Sequence, residues 1–476
     1  MDQEDFLLRP SDEAHTAALR TCRWIKPVML AAFMMLALVA NTGWTRRGHR
    51  PASKNPPAIR LGVRLFMDDR FSTPKGDLRA SCSTCHLLDE DPQGPRAHAD
   101  FLARSWIPWR MQDPRRNELR NSPTILDAAK MPRLHFDGEF GSIEELVKGT
   151  LLGRTMGWLP GEQAQALQHV ADVIMKDTGQ GPGAEGSYRD QFKQAYGIDL
   201  KKLTPDEIIN WVARAIGDYM RTLHTERTSP YDQFIRINGL ETEPARGEDV
   251  KAFARRLLER IARLESQGRL NLAKDFDAQA LTGLKTFFRA TGAAATGNCV
   301  TCHAPPLFTD LSFHNLGISQ REYDEVHGAG SFAALPIPDA AQAIRPSAQF
   351  RETPAKAKPG AADLGYWNFA NLTSSPLRRA GENDDQFLRR MIGRFKTPTL
   401  RDLAYSHPYM HTGAYATLES ALSELMRLSE MARAGGVRAA DEELSGIRIT
   451  EAEIPPLAAF LNTLNDDLKR AHRPLD

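Results

Sequence analysis

CSTCH at Cys82–His86 and CVTCH at Cys299–His303 are two copies of one pattern, Cys-x-x-Cys-His, and together they take four of the five cysteines in the chain. The two cysteines of each copy lie about one helical turn apart, so their sulfurs can meet the two vinyl groups of a single porphyrin. The adjoining histidine then presents an imidazole to the iron. With five Cys and thirteen His in 476 residues, one such match arises by chance in roughly one chain per thousand and a pair in about one per million. Two other readings use the same cysteines. A structural zinc would need a fourth ligand at each pair and would leave the adjacent histidine a coincidence, and a thioredoxin-like dithiol has no use for the histidine at all. The spacing therefore predicts two covalently attached haem c groups, held by Cys82, Cys85 and His86 and by Cys299, Cys302 and His303.

Composition bounds the rest. Lys and Arg number 61 against 60 Asp and Glu, which gives no global reason to bind nucleic acid or an acidic membrane surface. Apolar residues at 41% and charged residues at 25% describe a globular chain with enough length for two or three domains. The amino terminus is different in character. Arg20, Arg23 and Lys26 precede an apolar run from Pro27 to Ala40, and Arg46 and Arg47 follow it. A run of this length falls short of the roughly twenty residues of a membrane span but suits the apolar region of an export signal. Residues 1–50 are read as a signal peptide, or as an uncleaved anchor extended to Trp44, followed by a linker. Cys22 precedes the apolar run and has no role in this scheme. Export to the periplasm, either released or anchored, fits covalent haem attachment, which belongs outside the cytoplasm.

Folded sequence is expected from about Ile59. Thr204-Pro205-Asp206-Glu207 has the form of a capping box with proline at the first helical position, opening a helix through Ile208, Ile209, Val212, Ile216 and Tyr219. The same plan returns at Thr450-Glu451-Ala452-Glu453, ahead of Ile454, Leu457, Phe460 and Leu461. Each half is thus an attachment motif, loops and a closing capped helix, which reads as a duplicated unit. Ala280, Leu281, Leu284, Phe287 and Phe288 recur at helical spacing just before the second motif. No stretch alternates as a substantial sheet does. The expected fold is mainly α, with two tandem cytochrome c-like haem domains, 51–226 and 227–476, and long loops. Two segments read as insertions. Residues 244–275 form a charged helix with one apolar stripe, and residues 328–362, rich in Ala and Pro, form a loop that is either a surface wrap or a lid.

Beyond the haem motifs, five segments occur in order: RNSPTILDA at Arg120–Ala128, FDG at Phe136–Gly138, LFTDLSFHNLG at Leu307–Gly317, FKTPTLRD at Phe395–Asp402 and HPYMHTG at His407–Gly413. In these the chain resembles the bacterial diheme cytochrome c peroxidase family, which includes the methylamine-utilisation diheme enzyme, over about residues 58–465. The resemblance implies an oxidoreductase that reduces hydrogen peroxide to water with electrons from a small cytochrome c or cupredoxin. The His303 haem would be the electron store and the His86 haem the peroxide site. It also implies a calcium ion between the halves, with Asn121 and the backbone carbonyls of Ser406 and Pro408 as ligands, and it places His411 near the second haem. Where the family sets a Gln and a Glu over the peroxide site, this chain has Leu146 and Thr155–Met156, with Glu139, Glu144 and Glu145 nearby; Glu144 and Glu145 are the candidates for the acid–base role. Phe136 stands where the family has a Trp between the haems, and His98 is the available counterpart of a distal histidine. Opposite the second haem the family's axial position counts to Leu425, so a small shift of the helix Leu418–Met431 would offer Met426, with Met410 as the alternative. Two further functions share this scaffold, a diheme oxidase or oxygenase acting on a protein or organic substrate and a non-enzymatic diheme electron carrier. A homodimer is compatible with either.

Overall fold

The computed structural model describes residues 55–75, 79–86, 120–181, 183–290, 292 and 295–466. The apolar run 27–40, Cys22 and His98 lie outside them. The first half contributes α1 (Pro57–Met67), a single helical turn at Cys82–Cys85, α2 (Ile143–Leu151), α3 (Gln163–Lys176), α4 (Tyr188–Tyr196) and α5 (Pro205–Met220). The second contributes α6 (Pro230–Ile237), α7 (Val250–Ser266), α8 (Ala278–Phe288), α9 (Ile318–His327), α10 (Asp384–Met391), α11 (Leu418–Arg433) and α12 (Ile454–Asn462). Among the described residues the only sheet is a pair of two-residue antiparallel strands, β1 (Phe313–His314) and β2 (Phe395–Lys396), with Phe313 opposite Lys396 and His314 opposite Phe395. No helix among the described residues is long and apolar enough to cross a membrane.

The start of α5 follows from its sequence. Glu207 accepts the N–H of Thr204 at 2.8 Å and Thr204 Oγ1 accepts that of Glu207 at 3.3 Å, so two backbone donors that a helix end leaves without partners are satisfied. At Thr450 the same reciprocal box forms with Glu453, but its residues open as a short 3-10 turn, Glu451–Glu453, before α12 begins.

The two halves repeat one packing unit residue by residue. Gly62 of α1 lies so close to α5 that a Cβ there would run into the carbonyl of Ala215 and the Cβ of Tyr219; Gly283 of α8 lies in the same relation to Pro456 and Phe460 of α12. One turn further along, Phe66 meets Tyr219 edge-on with centroids 5.3 Å apart, and Phe287 meets Phe460 at 5.1 Å. The parallel extends to two short segments, PTILD at 123–127 and PTLRD at 398–402. Asp127 and Asp402 both take a left-handed conformation, at φ 56° and 60°, and each begins a 3-10 turn. Their N–H groups donate to Leu223 and Leu464, the residues that follow the closing helices. Because the two glycines let helix backbones touch, Gly283→Ala forces them apart. Overpacking of this kind costs about 1–3 kcal/mol, so the variant should show a lower thermal midpoint with its haem content unchanged.

Each half has its own apolar core, one built on α1–α5 and one on α6, α7, α8, α11 and α12. The charged segment 244–275 adds α7 to the second core through Phe253, Leu257 and Ile261, its single buried stripe. Residues 328–362 wrap over a third cluster centred on Trp367 and anchored by Phe332, Leu335 and Phe350. Part of this wrap, near Pro346–Arg351, reaches the cavity described next.

Candidate haem and peroxide site

A continuous cavity of about 990 Å³ runs between the halves, and Cys82, Cys85, His86, Cys299, Cys302 and His303 all lie on its wall. The second motif is held from the core outward. The Phe308 ring is fully buried against Tyr231, Phe287 and Phe460 and lies 5.1 Å beneath the Arg401 guanidinium. Arg401 is fixed by both oxygens of Asp232, at 2.6 and 2.9 Å. The clamped Phe308 carbonyl accepts the Nδ1–H of His303 at 2.9 Å. That bond sets the tautomer, leaving Nε2 as the electron-pair donor for a metal. Burial pulls the His303 pKa down, against the Phe308 carbonyl that favours the charged ring. At the first motif His86 is also buried, and its pKa falls to about 4 through burial and then through the charge of His135. Its Nδ1 finds no hydrogen-bond partner among the described residues.

The donor set fits two attached haems and does not fit zinc. Each motif brings two thiols and one imidazole to the cavity wall, one ligand short of the four that a structural zinc takes. The extra histidine near the second motif is unavailable to a metal. His314 gives both ring N–H groups to carboxylates, Nε2 to Asp310 at 2.7 Å and Nδ1 to Asp441 at 2.8 Å. Burial opposes its charge, but the two carboxylates raise its pKa to about 12, and an imidazolium has no lone pair to donate.

The remaining predicted residues fall as follows. Asn121, Ser406 and Pro408 share the cavity wall; Asn121 Nδ2 donates to the Pro408 carbonyl at 2.6 Å. Its buried Oδ1 has no partner among the described residues. The wall of α11 consists of Leu418, Ala421, Leu422 and Leu425, at i, i+3, i+4 and i+7. Met426, about 100° further round the helix, packs instead against the second core. The one-residue shift expected for Met426 therefore does not occur, and Met410 is the methionine of α11's neighbourhood that faces the cavity. On α2, Leu146 and Val147 face the cavity and the acidic candidates do not. Glu144 pairs with Arg221 at 2.5 Å and Glu145 is exposed, accepting the Gly141 N–H at 3.1 Å. As first-turn residues beside the Ser142 cap they complement the helix dipole.

Phe136, His411 and Phe395 share the cavity wall with both motifs. The His411 ring stacks on Phe395 at 3.5 Å and stands 6.4 Å from Phe136; β2 is bound to the Phe136 carbonyl through the Lys396 N–H at 2.7 Å. Sequence reasoning missed the ion network beneath them. Arg120 binds Asp137 at 2.6 Å and both oxygens of Asp363 at 2.6 Å, while Arg351 binds Glu139 at 2.8 Å and Asp137 at 3.4 Å. Burial disfavours the carboxylate of Asp137, but Arg120 and then Arg351 win and hold its pKa below the usual range. Burial brings the Lys396 ammonium down to about 8, against the pull of Asp137. His135 and Glu139 also line the cavity. The available signal was position, since His135 directly precedes the recognised FDG turn.

The sequence profile of the family described as di-haem cytochrome c peroxidase matches residues 56–239. Over that stretch, which covers most of its first half, the chain is similar to that family. It is similar to cytochrome-c peroxidase IdrP2 of a Pseudomonas species, 27% identical over 414 residues, covering 87% of this chain and 82% of the relative. It is also similar to methylamine utilization protein MauG of Paracoccus denitrificans, 25% identical over 483 residues, with 94% and 97% covered. The fold matches the crystal structure of the diheme peroxidase BthA from Burkholderia thailandensis with a TM-score of 0.51 at 19% identity, over 87% of this chain and 86% of that one. The family implies two haem c groups, and the donor set above accommodates them.

Proposed function

We propose that this di-haem protein is exported to the periplasm and there reduces hydrogen peroxide to water, with electrons delivered by a small cytochrome c or cupredoxin. Peroxide would react in the half formed by 51–226, at His86, and the half formed by 227–476 would hold the store, at His303. The observation that carries this reading is that both attachment motifs open on one cavity, whose wall also carries Phe136 and the Phe395–His411 stack. The haems supply iron that exchanges electrons and binds an oxidant. The chain supplies the rest. His303, set by Phe308, and His86 would hold the two irons, while the apolar rings on the cavity wall would keep water out. Asn121 and the carbonyls of Ser406 and Pro408 are proposed to hold calcium, a hard cation suited to oxygen ligands. The buried, partnerless Oδ1 of Asn121 supports this assignment, since a buried polar atom without a partner is costly.

Holoprotein made with the haem-maturation machinery should carry a mass excess of two porphyrins and oxidise a reduced small cytochrome when peroxide is added. The second reading, an oxidase acting on a protein or organic substrate, draws on Leu146 and Thr155 lining the cavity where the family's Gln and Glu would be. It predicts a persistent peroxide-oxidised spectrum without cytochrome turnover. No reaction with peroxide at all would leave a simple electron carrier.

A further inference from the structure

Leu146 and Thr155 line the cavity without offering an acid–base group, and a loop of the first half brings other side chains to the same wall. Residues 134–140 form a tight loop closed by the Leu134 N–H donating to the Phe140 carbonyl at 2.9 Å. At its start His135 takes a left-handed conformation, φ 62°, which is uncommon for a residue with a side chain and points to a constraint. The loop divides its side chains. Asp137 turns inward to Arg120, whereas His135, Phe136 and Glu139 line the cavity. Leu134 and Phe140, which flank His135, belong to the core of the first half, which puts His135 on that half's side of the cavity. Its ring meets Phe140 edge-on at 4.9 Å. Nδ1 lies 3.3 Å from Glu139 Oε2, and Glu139 is held at 2.8 Å by Arg351. The side chain of His135 is 37% exposed, so protons can reach it from solvent. His135, Asp137 and Glu139 also cluster closely enough to suggest a cation site, but Arg120 and Arg351 already neutralise the two carboxylates.

We propose that His135, positioned by Glu139 and through it by Arg351, is the catalytic acid–base residue at the first haem site. The assignment rests on the peroxidase reading. With Nδ1 directed at Glu139, Nε2 is the atom available to substrate. It takes the proton from the inner oxygen of hydrogen peroxide and returns it to the outer oxygen as the O–O bond breaks, so that this oxygen leaves as water. The other oxygen leaves as a second water, with two protons from solvent and two electrons from the small redox protein by way of the haems. The sum is H2O2 + 2 H+ + 2 e− → 2 H2O.

The test uses two probes on the holoprotein, peroxide and cyanide, because hydrogen cyanide must also give up a proton to bind and its binding is not turnover. His135→Asn keeps a residue that tolerates the left-handed backbone, and His135→Phe provides a second variant. Both should slow the reaction with peroxide by about 10²–10⁴-fold and cyanide association by at least about tenfold, the range for loss of a general acid–base. The electron paramagnetic resonance signals of both haems should be unchanged. Glu139→Gln should slow both rates in parallel with haem content and thermal midpoint intact, an effect a merely structural carboxylate would not produce. Wild-type rates of both reactions in His135→Asn would overturn the assignment while leaving the peroxidase reading intact. Slow cyanide binding in the variant, with no peroxide consumption by the wild type, would support His135 as the proton acceptor and overturn the peroxidase reading instead.

Discussion

Arg120→Met is expected to destabilise the protein by about 3–5 kcal/mol, the cost of leaving a buried charge without its partner. The site makes this an acute case. Arg120 is 9% exposed, Asp137 is fully buried and Asp363 is 2% exposed, so solvent does little to compensate. Burial disfavours the guanidinium charge, yet Asp137 and Asp363 outweigh burial and raise its pKa. Removing the cation leaves two carboxylates facing each other across the space it filled. Arg351, at 3.4 Å from Asp137, is too distant and too solvated to replace it. The fork also joins three parts of the chain, namely the segment carrying Asn121, the 134–140 loop and the turn at Asp363 before Gly365. Its loss should therefore loosen the loop that presents His135 and Phe136. Chemical denaturation of the holoprotein measures the change. Arg120→Met combined with Asp137→Asn should recover part of it, because the double variant removes one stranded charge. No recovery would mean that the two residues act independently.

This network illustrates what the sequence conceals. Arg120 and Asp363 are 243 positions apart, and nothing local in either segment signals their pairing. The attachment motifs were legible because covalent chemistry demands fixed spacing. The capping boxes at Thr204 and Thr450 were legible because their partners are three residues away. The register of α11 was not, since the helix is apolar on two sides, one facing its own core and one facing a cavity built to accept a porphyrin. Met426 and Leu425 satisfy both environments equally on paper. The different settings of Glu139, Glu144 and Glu145 were hidden for a related reason. Acids in the first turn of a helix have a local explanation, the helix dipole, and only the loop residue Glu139 is left to need a tertiary one. The duplication was half visible. The closing helices announced it, whereas the paired PTILD and PTLRD segments and the matched glycines Gly62 and Gly283 gain meaning once their contacts are seen.

His314→Gln should be the other strongly destabilising change, and its pH dependence identifies the cause. In the folded protein the His314 pKa is raised to about 12, against about 6.5 for an unfolded histidine. Its stabilising contribution is thus full below about pH 6.5 and is lost progressively as pH rises toward 12. Asp441 behaves in the opposite sense. Burial favours its neutral form, but His314 and Arg394 hold its pKa at about 2, so its contribution is present above the ordinary carboxylate range and is lost as pH falls through 2. Between these limits, near pH 6, the variant leaves Asp310 and Asp441 without their shared cation and should cost about 3–5 kcal/mol. The deficit should shrink by about 1.4 kcal/mol per pH unit above 6.5, the equivalent of one pKa unit, and so be about 3 kcal/mol smaller at pH 9 than at pH 6. Denaturation midpoints of wild type and variant at pH 6 and pH 9 test this, and an equal deficit at both would show that the histidine acts by shape and not by charge. The consequence reaches the second haem. His314 stands opposite Phe395 in the β1–β2 pair, Arg394 also binds Asp441 at 2.8 Å, and Phe395 carries the His411 ring. One imidazolium therefore braces both the β1–β2 pair and the Phe395–His411 stack on the cavity wall.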